Sequence, residues 1–189
     1  MSTLKPIRKA LISVYHKDRL EPIVRRLHSE GVELLSTGGS RQFLESLGIP
    51  CTPVESLTGY PSILGGRVKT LHPKIFGGIL GRPALESDAA DMAEHAIGAI
   101  DLVVVDLYPF EDTVASGASK ADIIEKIDIG GISLIRAAAK NHAEVDIIPS
   151  RAEYGVLEGI LSANGAATTE EERQFLAFRA FAVSSAYDS

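Results

Sequence analysis

The sequence predicts an α/β fold with a doubly wound, mainly parallel sheet, on three observations. Short apolar runs alternate with stretches whose apolar residues recur at helical spacing, the rhythm of strand–helix–strand units. One run, Leu102-Val103-Val104-Val105-Asp106-Leu107, is nearly continuous and β-branched, as expected of a strand buried on both faces. Glycines punctuate the helical stretches, with Gly31 and Gly48 standing just past their ends.

In chain order, Ala10-Leu11-Ile12-Ser13-Val14 predicts the first strand, because an apolar run there gives out into polar residues. Leu20, Ile23, Val24 and Leu27 then share one helical face. Residues 32–35 predict a second strand, and Ser36-Thr37-Gly38-Gly39-Ser40 follows it directly. The next helix carries Phe43, Leu44 and Leu47 on one side. Residues 49–54 read as an edge strand, since Pro50 and Pro53 cannot donate to a ladder. A basic, glycine-rich segment comes next, too long and irregular for a plain connector. Residues 86–97 predict a helix, and the Leu102 run the most buried strand. Ile123, Ile124 and Ile127 mark a helix before Asp128, and residues 132–140 an alanine-rich one after Gly130-Gly131. A strand over 145–148 and helices over 154–161 and 170–187 complete the chain, with Phe175, Phe178 and Ala182 on one face of the last. Right-handed crossovers put helices on both faces of such a sheet. Ligands bind beyond the carboxyl ends of the strands, near a reversal of strand order. Ser13, Thr37 to Ser40 and Tyr108 all fall there.

The 189 residues are expected to form one domain, residues 1–189, with ample apolar sequence for a core. A net charge of -6 argues against nucleic acid and anionic membrane as partners. Cys51 stands alone, which rules out an intrachain disulfide and Cys-rich metal sites and fits a small, partly buried hydrophobe. The start, Met1-Ser2-Thr3-Leu4-Lys5-Pro6, lacks the apolar core of a signal peptide, and no apolar run approaches the ~20 residues of a membrane span. A cytoplasmic enzyme or binding domain is the expectation.

Against this acidic background, residues 56–85 contain no Asp or Glu while holding Arg67, Lys69, Lys74 and Arg82. A compact cationic site on an acidic protein suits a small phosphorylated metabolite. The Thr37-Gly38-Gly39-Ser40 turn has the chemistry of a phosphate cradle: glycines admit the ligand to the backbone, and a helix N-terminus offers unpaired N–H groups. Ser40 can equally serve as an N-cap. No Gly-Lys-Ser/Thr follows and no dinucleotide fingerprint is present, which disfavours ATP and NAD. Ser13 and Lys17 flank the end of the first strand and could reach the same anion, or be a capping serine and a surface lysine. Tyr108, before the strand-stopping Pro109, can stack on a flat ring, donate its hydroxyl or close the core. Arg136 and Lys140 lie one i,i+4 step apart on a helix of alanines and aliphatics, so Lys140 is expected to be partly desolvated and suited to proton transfer; a structural Asp128–Lys140 ion pair is the alternative. The five histidines, His16, His28, His72, His95 and His142, lack metal-ligand spacing, and no nucleophile elbow occurs.

Taken together, Ile12-Ser13-Val14, Leu35-Ser36-Thr37-Gly38-Gly39-Ser40, Thr58-Gly59-Tyr60-Pro61, residues 66–74 (Gly-Arg-Val-Lys-Thr-Leu-His-Pro-Lys), Leu107-Tyr108-Pro109-Phe110, Ile127-Asp128-Ile129-Gly130-Gly131 and residues 136–142 (Arg-Ala-Ala-Ala-Lys-Asn-His) resemble the inosine monophosphate cyclohydrolase domain of the bifunctional purine-biosynthesis enzyme. The resemblance runs through nearly the whole chain. It implies a methylglyoxal-synthase-like fold and closure of the purine ring of formamidoimidazole carboxamide ribotide, giving inosine monophosphate and water. It implies no cofactor and no metal, a purine ribotide as small-molecule partner, and a homodimer, and the transformylase half of the family's enzyme is missing. Carried over residue by residue, it implies substrate binding by Ser13, Lys17, Thr37, Gly38, Gly39, Ser40, Arg67, Lys69, Thr70, Asp106 and Gly130. It implies catalytic roles for Lys69, Tyr108, Asp128 and Lys140. The chain departs from the family pattern at His16, where an aspartate is more frequent, at Phe76, often a histidine, and at Asp106, often an asparagine. Two other classes use a similar cradle. A non-catalytic sensor of a phosphorylated effector would not need Asp128, Lys140 or Tyr108. A lyase acting on small phosphorylated ketones would want a carboxylate base beside the phosphate loop.

Overall fold

A five-stranded parallel sheet forms the centre of the protein in the computed structural model, which describes residues 3–189. Residues 1 and 2, at the head of the segment read as lacking a signal peptide, lie outside the described residues. The first part of the chain runs β1 (Lys5–Pro6), β2 (Lys9–Ser13), α1 (Leu20–Ser29), β3 (Glu33–Ser36), α2 (Gly38–Ser46), β4 (Thr52–Pro53) and α3 (Val54–Thr58). The middle runs α4 (Pro73–Leu80), α5 (Glu86–Glu94), β5 (Leu102–Val105), α6 (Phe110–Ala115), α7 (Lys120–Glu125) and α8 (Gly130–Lys140). It ends with β6 (Asp146–Ile148), α9 (Tyr154–Asn164), β7 (Ala167–Thr168) and α10 (Glu170–Tyr187).

The sheet order is β4-β3-β2-β5-β6, with every neighbouring pair parallel. The chain steps outward from β2 to β3 and β4, then returns to the other side of β2 for β5 and β6. Because parallel crossovers keep one hand, this reversal sends α8, the crossover from β5 to β6, to the face opposite α1. There α8 packs on α4, β5, β6 and α10, while α9, which follows the last strand of the sheet, returns to pack with α1. The reversal lies between β2 and β5, which pair Ser13 with Val105, and it opens a crevice beyond their carboxyl ends. All four side chains of β5 are fully buried, as the unbroken β-branched run requires of a strand covered on both faces. Each contributes roughly 1.5–3 kcal/mol by leaving water.

The elements differ from the sequence reading where backbone chemistry intervenes. The predicted edge strand over 49–54 shrinks to β4, because Pro53 becomes the residue before α3 and cannot extend the ladder. The basic segment holds a helix, α4: Pro73 occupies its first turn and the His72 ring accepts the Lys74 N–H at 3.1 Å. Strand β5 stops at Val105, and Asp106 turns its carboxylate to the loop after β2. A further helix, α6, follows Pro109. Among the described residues no helix is long and apolar enough to cross a membrane, and no group of three His, Cys, Asp or Glu could hold a metal ion.

Candidate active site

The crevice at the β2/β5 reversal is a cavity of about 700 Å³, large enough for a nucleotide-sized ligand. Strand ends supply its floor: Ser13 from β2, Thr37 from β3, Asp106 from β5. One wall comes from residues 65–70, the other from residues 124–131 with the start of α8.

At one end stands the N-terminus of α2. Thr37 precedes the helix with extended backbone and makes no side-chain cap, so the first N–H groups, at Gly38 and at Gly39 beside the cavity, are left uncapped. Gly38 has φ +45°, a left-handed conformation that favours glycine, and a Cβ there would stand 3.2 Å from the Lys69 ammonium. A Cβ on Gly39 would stand 3.5 Å from the Lys17 ammonium. Two lysines therefore sit directly over the two glycines. Burial, with Lys69 nearby, holds the Lys17 ammonium below its usual pKa, while Asp106 partly offsets this. Lys17 donates to the carbonyls of Val14 and Tyr15 at 2.8 and 2.6 Å. The Ser13 and Thr37 hydroxyls lie 3.4 Å apart. Ser40 is not a cap: its buried hydroxyl donates to the Val14 carbonyl at 2.9 Å and accepts the Val14 N–H at 3.0 Å. It locks the Ser13–Lys17 loop to α2. The arrangement suits a phosphate dianion, with oriented N–H groups below it and two ammoniums above.

At the other end stand Tyr108 and Asp128. Asp128 is 8 % exposed and accepts the Gly131 N–H at 2.6 Å, folding back over the first turn of α8. A Cβ on Gly131 would meet the carboxylate at 2.6 Å, so glycine there lets Asp128 fold back, and a larger residue would push it away. Burial raises the Asp128 pKa above its ordinary value, outweighing the backbone N–H groups of Gly131 and Tyr108 that lower it. Burial likewise raises the Tyr108 phenol, helped by the charge of Asp128. Lys69 acts electrostatically on both Lys17 and Asp128, placing it between the two ends. Thr70 is buried, its hydroxyl close against Gly130.

Three of the four cations between residues 56 and 85 belong elsewhere or are compensated. Arg82 pairs with Asp88 at 2.7 Å, away from the cavity. Arg67 lines the cavity but is exposed and paired with Glu125, whose carboxyl that hydrogen bond holds below the usual value. Lys74 does not line the cavity. Asp106, read as a substrate contact, is buried and bound to the loop after β2. It accepts the Tyr15 and His16 backbone N–H groups, and His16 Nδ1 lies 2.7 Å from its carboxylate. Two of the three departures from the family pattern, His16 and Asp106, are thus one pair. Phe76 packs against the edge of the core.

Lys140 is the sequence-predicted site residue that the fold holds apart. It stands ten residues along α8 from Gly130, about 15 Å at 1.5 Å per residue. The expectation of partial desolvation fails, because Ala137, Ala138 and Ala139 take the buried face and leave Lys140 exposed. No Asp128–Lys140 ion pair forms among the described residues. Conversely, Tyr15, Glu125 and Lys126 line the cavity without having been singled out, and Tyr187 reaches Asp128 from α10. Tyr15 and Lys126 gave a sequence signal only by adjacency to His16 and Asp128.

A family model described as an MGS-like domain matches residues 19–133, and one described as the AICARFT/IMPCHase bienzyme matches residues 138–189. The chain is 65% identical over 189 residues to the bifunctional purine biosynthesis protein PurH of Bacteroides thetaiotaomicron, covering 37% of that protein. It is 54% identical over 183 residues to PurH of Rhodospirillum rubrum, covering 35% of it, and 48% identical over 189 residues to PurH of Dinoroseobacter shibae, covering 36%. The chain thus spans little more than a third of the length of these relatives. Among solved structures, a crystal structure of ForH superposes with a TM-score of 0.79 at 35% identity, over 95% of this chain and 94% of that one.

Proposed function

This chain belongs to the MGS-like domain family, and from that premise we propose that it is an inosine monophosphate cyclohydrolase, closing the purine ring of formamidoimidazole carboxamide ribotide in purine biosynthesis. The observation that carries the reading is a single cavity with two chemically distinct ends: uncapped N–H groups and two ammoniums at one, a phenol and a buried carboxylate at the other. Its match to about a third of each PurH relative adds support.

The reaction joins two groups of one molecule. The carboxamide nitrogen attacks the formyl carbon and a C–N bond forms; the C–O bond then breaks, and the formyl oxygen leaves as water with one proton from that nitrogen and one from the formamido N–H. Gripping the phosphate at the α2 end and the heterocycle at the Tyr108 end holds the reacting groups together, and such orientation can supply about 7 kcal/mol or more of the barrier. Asp128 takes the proton that the amide nitrogen sheds. Its burial makes it a stronger base than a solvated carboxylate. The Tyr108 hydroxyl donates to the formyl oxygen as it gains negative charge, and the Lys69 ammonium, between the two ends, stabilises that charge through its field. Asp128 as acceptor and Tyr108 as donor also distinguish this reading from a phosphate sensor, which needs neither.

Lys140 cannot reach Asp128 within one chain, so its proton-carrying role is tied to the homodimer that forms part of the proposal. A second copy would present Lys140 to the Asp128 of the first. A cytoplasmic setting, in which Cys51 stays a free thiol, completes the reading. The test is to mix the protein with the formylated ribotide and follow purine absorbance. Conversion well above the uncatalysed rate is expected, and its absence would refute the function.

A further inference from the structure

Lys126 occupies a defined seat beside the reacting end of the cavity, and two aromatic rings make that seat. Tyr15 lies two residues past the end of β2 and Tyr108 three past the end of β5, adjacent parallel strands. Their ring centroids lie 5.4 Å apart with planes at 82°, an edge-to-face contact. The Lys126 ammonium lies 5.1 Å from the Tyr15 centroid and 5.6 Å from that of Tyr108, within the range of cation–π attraction for both.

Lys126 belongs to the short loop between α7 and α8, two residues before Asp128. That loop is held more by polar contacts than by apolar burial. Ile124, Ile127 and Ile129 are 51%, 47% and 58% exposed, so their burial does not anchor it. Its other ties are Tyr187, whose hydroxyl accepts the Asp128 N–H at 2.6 Å and donates to the Lys126 carbonyl at 3.4 Å, and the Tyr108 backbone N–H, which bonds the Asp128 carboxylate and fixes the Tyr108 backbone but not its ring. The loop is clamped between Tyr187 on the α10 side and the Tyr15–Tyr108 corner on the cavity side.

We infer that Lys126 and Tyr15 are positioning residues for ring closure: the ammonium, seated between the two rings, fixes the Tyr108 side chain and the Asp128 loop at their working separation. The inference rests on the cyclohydrolase reading, which gives Tyr108 and Asp128 their roles. Tyr108 is 39% exposed, and a side chain that open has alternative rotamers unless something holds it. A misplacement of about 1 Å at a reacting group can cost about 10²-fold in rate, so a modest contact matters when it sets geometry.

The test compares Lys126→Met, which keeps the stem and removes the charge, with Lys126→Arg, which keeps a cation able to lie on aromatic faces. The expected result is a fall in kcat of roughly tenfold or more for Lys126→Met, with KM changed less than about threefold, and restoration to within about threefold of wild type in Lys126→Arg. A second readout needs no substrate. The protein has five tyrosines and no tryptophan, so its phenolate absorbance reports tyrosines alone, and Tyr108→Phe assigns the signal. The charged groups acting on the Tyr108 phenol are Asp128, Glu125 and Tyr15, with Lys126 on its ring. Removing the ammonium favours the neutral phenol, so its titration moves to higher pH in Lys126→Met and stays in place in Lys126→Arg. An unmoved titration in Lys126→Met, a kcat within about twofold of wild type, or equal losses in the Met and Arg variants would overturn the inference. A wild-type protein that makes no inosine monophosphate would sink the cyclohydrolase reading instead, and the titration would still decide whether Lys126 holds Tyr108.

Discussion

Gly131→Ala is the substitution that most sharply separates the chemistry of the site from the stability of the fold. Gly131 lies in the first turn of α8, where alanine would ordinarily stabilise the helix by about 1 kcal/mol. Here the added Cβ would stand 2.6 Å from Asp128 Oδ2 and 3.0 Å from both Cγ and Oδ1. The carboxylate must retreat by about 1 Å to reach ordinary contact, breaking its bond from the Gly131 N–H. A hydrogen bond to a charged group contributes roughly 1.5–3 kcal/mol. Set against the propensity gain, the net loss is about 0.5–2 kcal/mol, a fall in Tm of roughly 2–6 °C for a chain of this size. Activity should suffer more, because a 1 Å displacement of the base costs about 10²-fold in kcat. The phosphate end is untouched, so calorimetry should give a Kd for inosine monophosphate within about threefold of wild type. A kcat within about threefold of wild type in the purine-absorbance assay would refute Asp128 as the proton acceptor. Gly159→Ala is the control. A Cβ there meets nothing within 4 Å, so stability should rise by about 0.5–1 kcal/mol with kcat unchanged.

Three further outcomes are expected. Because burial raises the Asp128 pKa and the ionised form is the base, kcat should fall as pH drops through a value above the ordinary carboxylate range, and Asp128→Asn should leave a low, flat profile. Asp146, far from the site, has its pKa pushed by burial from 3.8 to about 7, so its favourable contribution is complete below 3.8 and is lost as pH rises through 7. Asp146→Asn should therefore match wild type in acid and exceed it in Tm above about pH 7; equal Tm values throughout would show that Asp146 titrates normally. Mixing inactive Lys140→Ala with inactive Asp128→Asn should restore activity of roughly a quarter of wild type if a partner copy supplies Lys140, because exchanged dimers then carry one intact site of two. No restoration would remove Lys140 from the mechanism.

The layered fold was legible because strand burial is written in unbroken apolar runs, and β5 is the plainest instance. The ends of elements were harder. Pro53 and Asp106 cut strands that apolarity alone would prolong, and α4 hides in a segment whose charges read as loop. The glycine turn at the start of α2 was readable from Thr37-Gly38-Gly39 because its backbone geometry is local to one turn. The reacting end depends on contacts across the chain. Spacing places Arg136 and Lys140 on one helix face, but only the packing of α8 decides that the alanines go inward and Lys140 outward. Likewise the His16–Asp106 pair joins residues 90 apart, and the Lys126 seat requires β2 and β5 side by side.

The central claim is that one cavity grips a phosphate at α2 and presents the far end of the same molecule to Tyr108 and Asp128. A crystal structure with inosine monophosphate bound tests it most directly. The phosphate should accept hydrogen bonds from the Gly38 and Gly39 N–H groups and from Lys17 and Lys69, with the purine against Tyr108 and its new ring edge toward Asp128. A phosphate seated away from α2, or a purine turned out to solvent, would contradict the account.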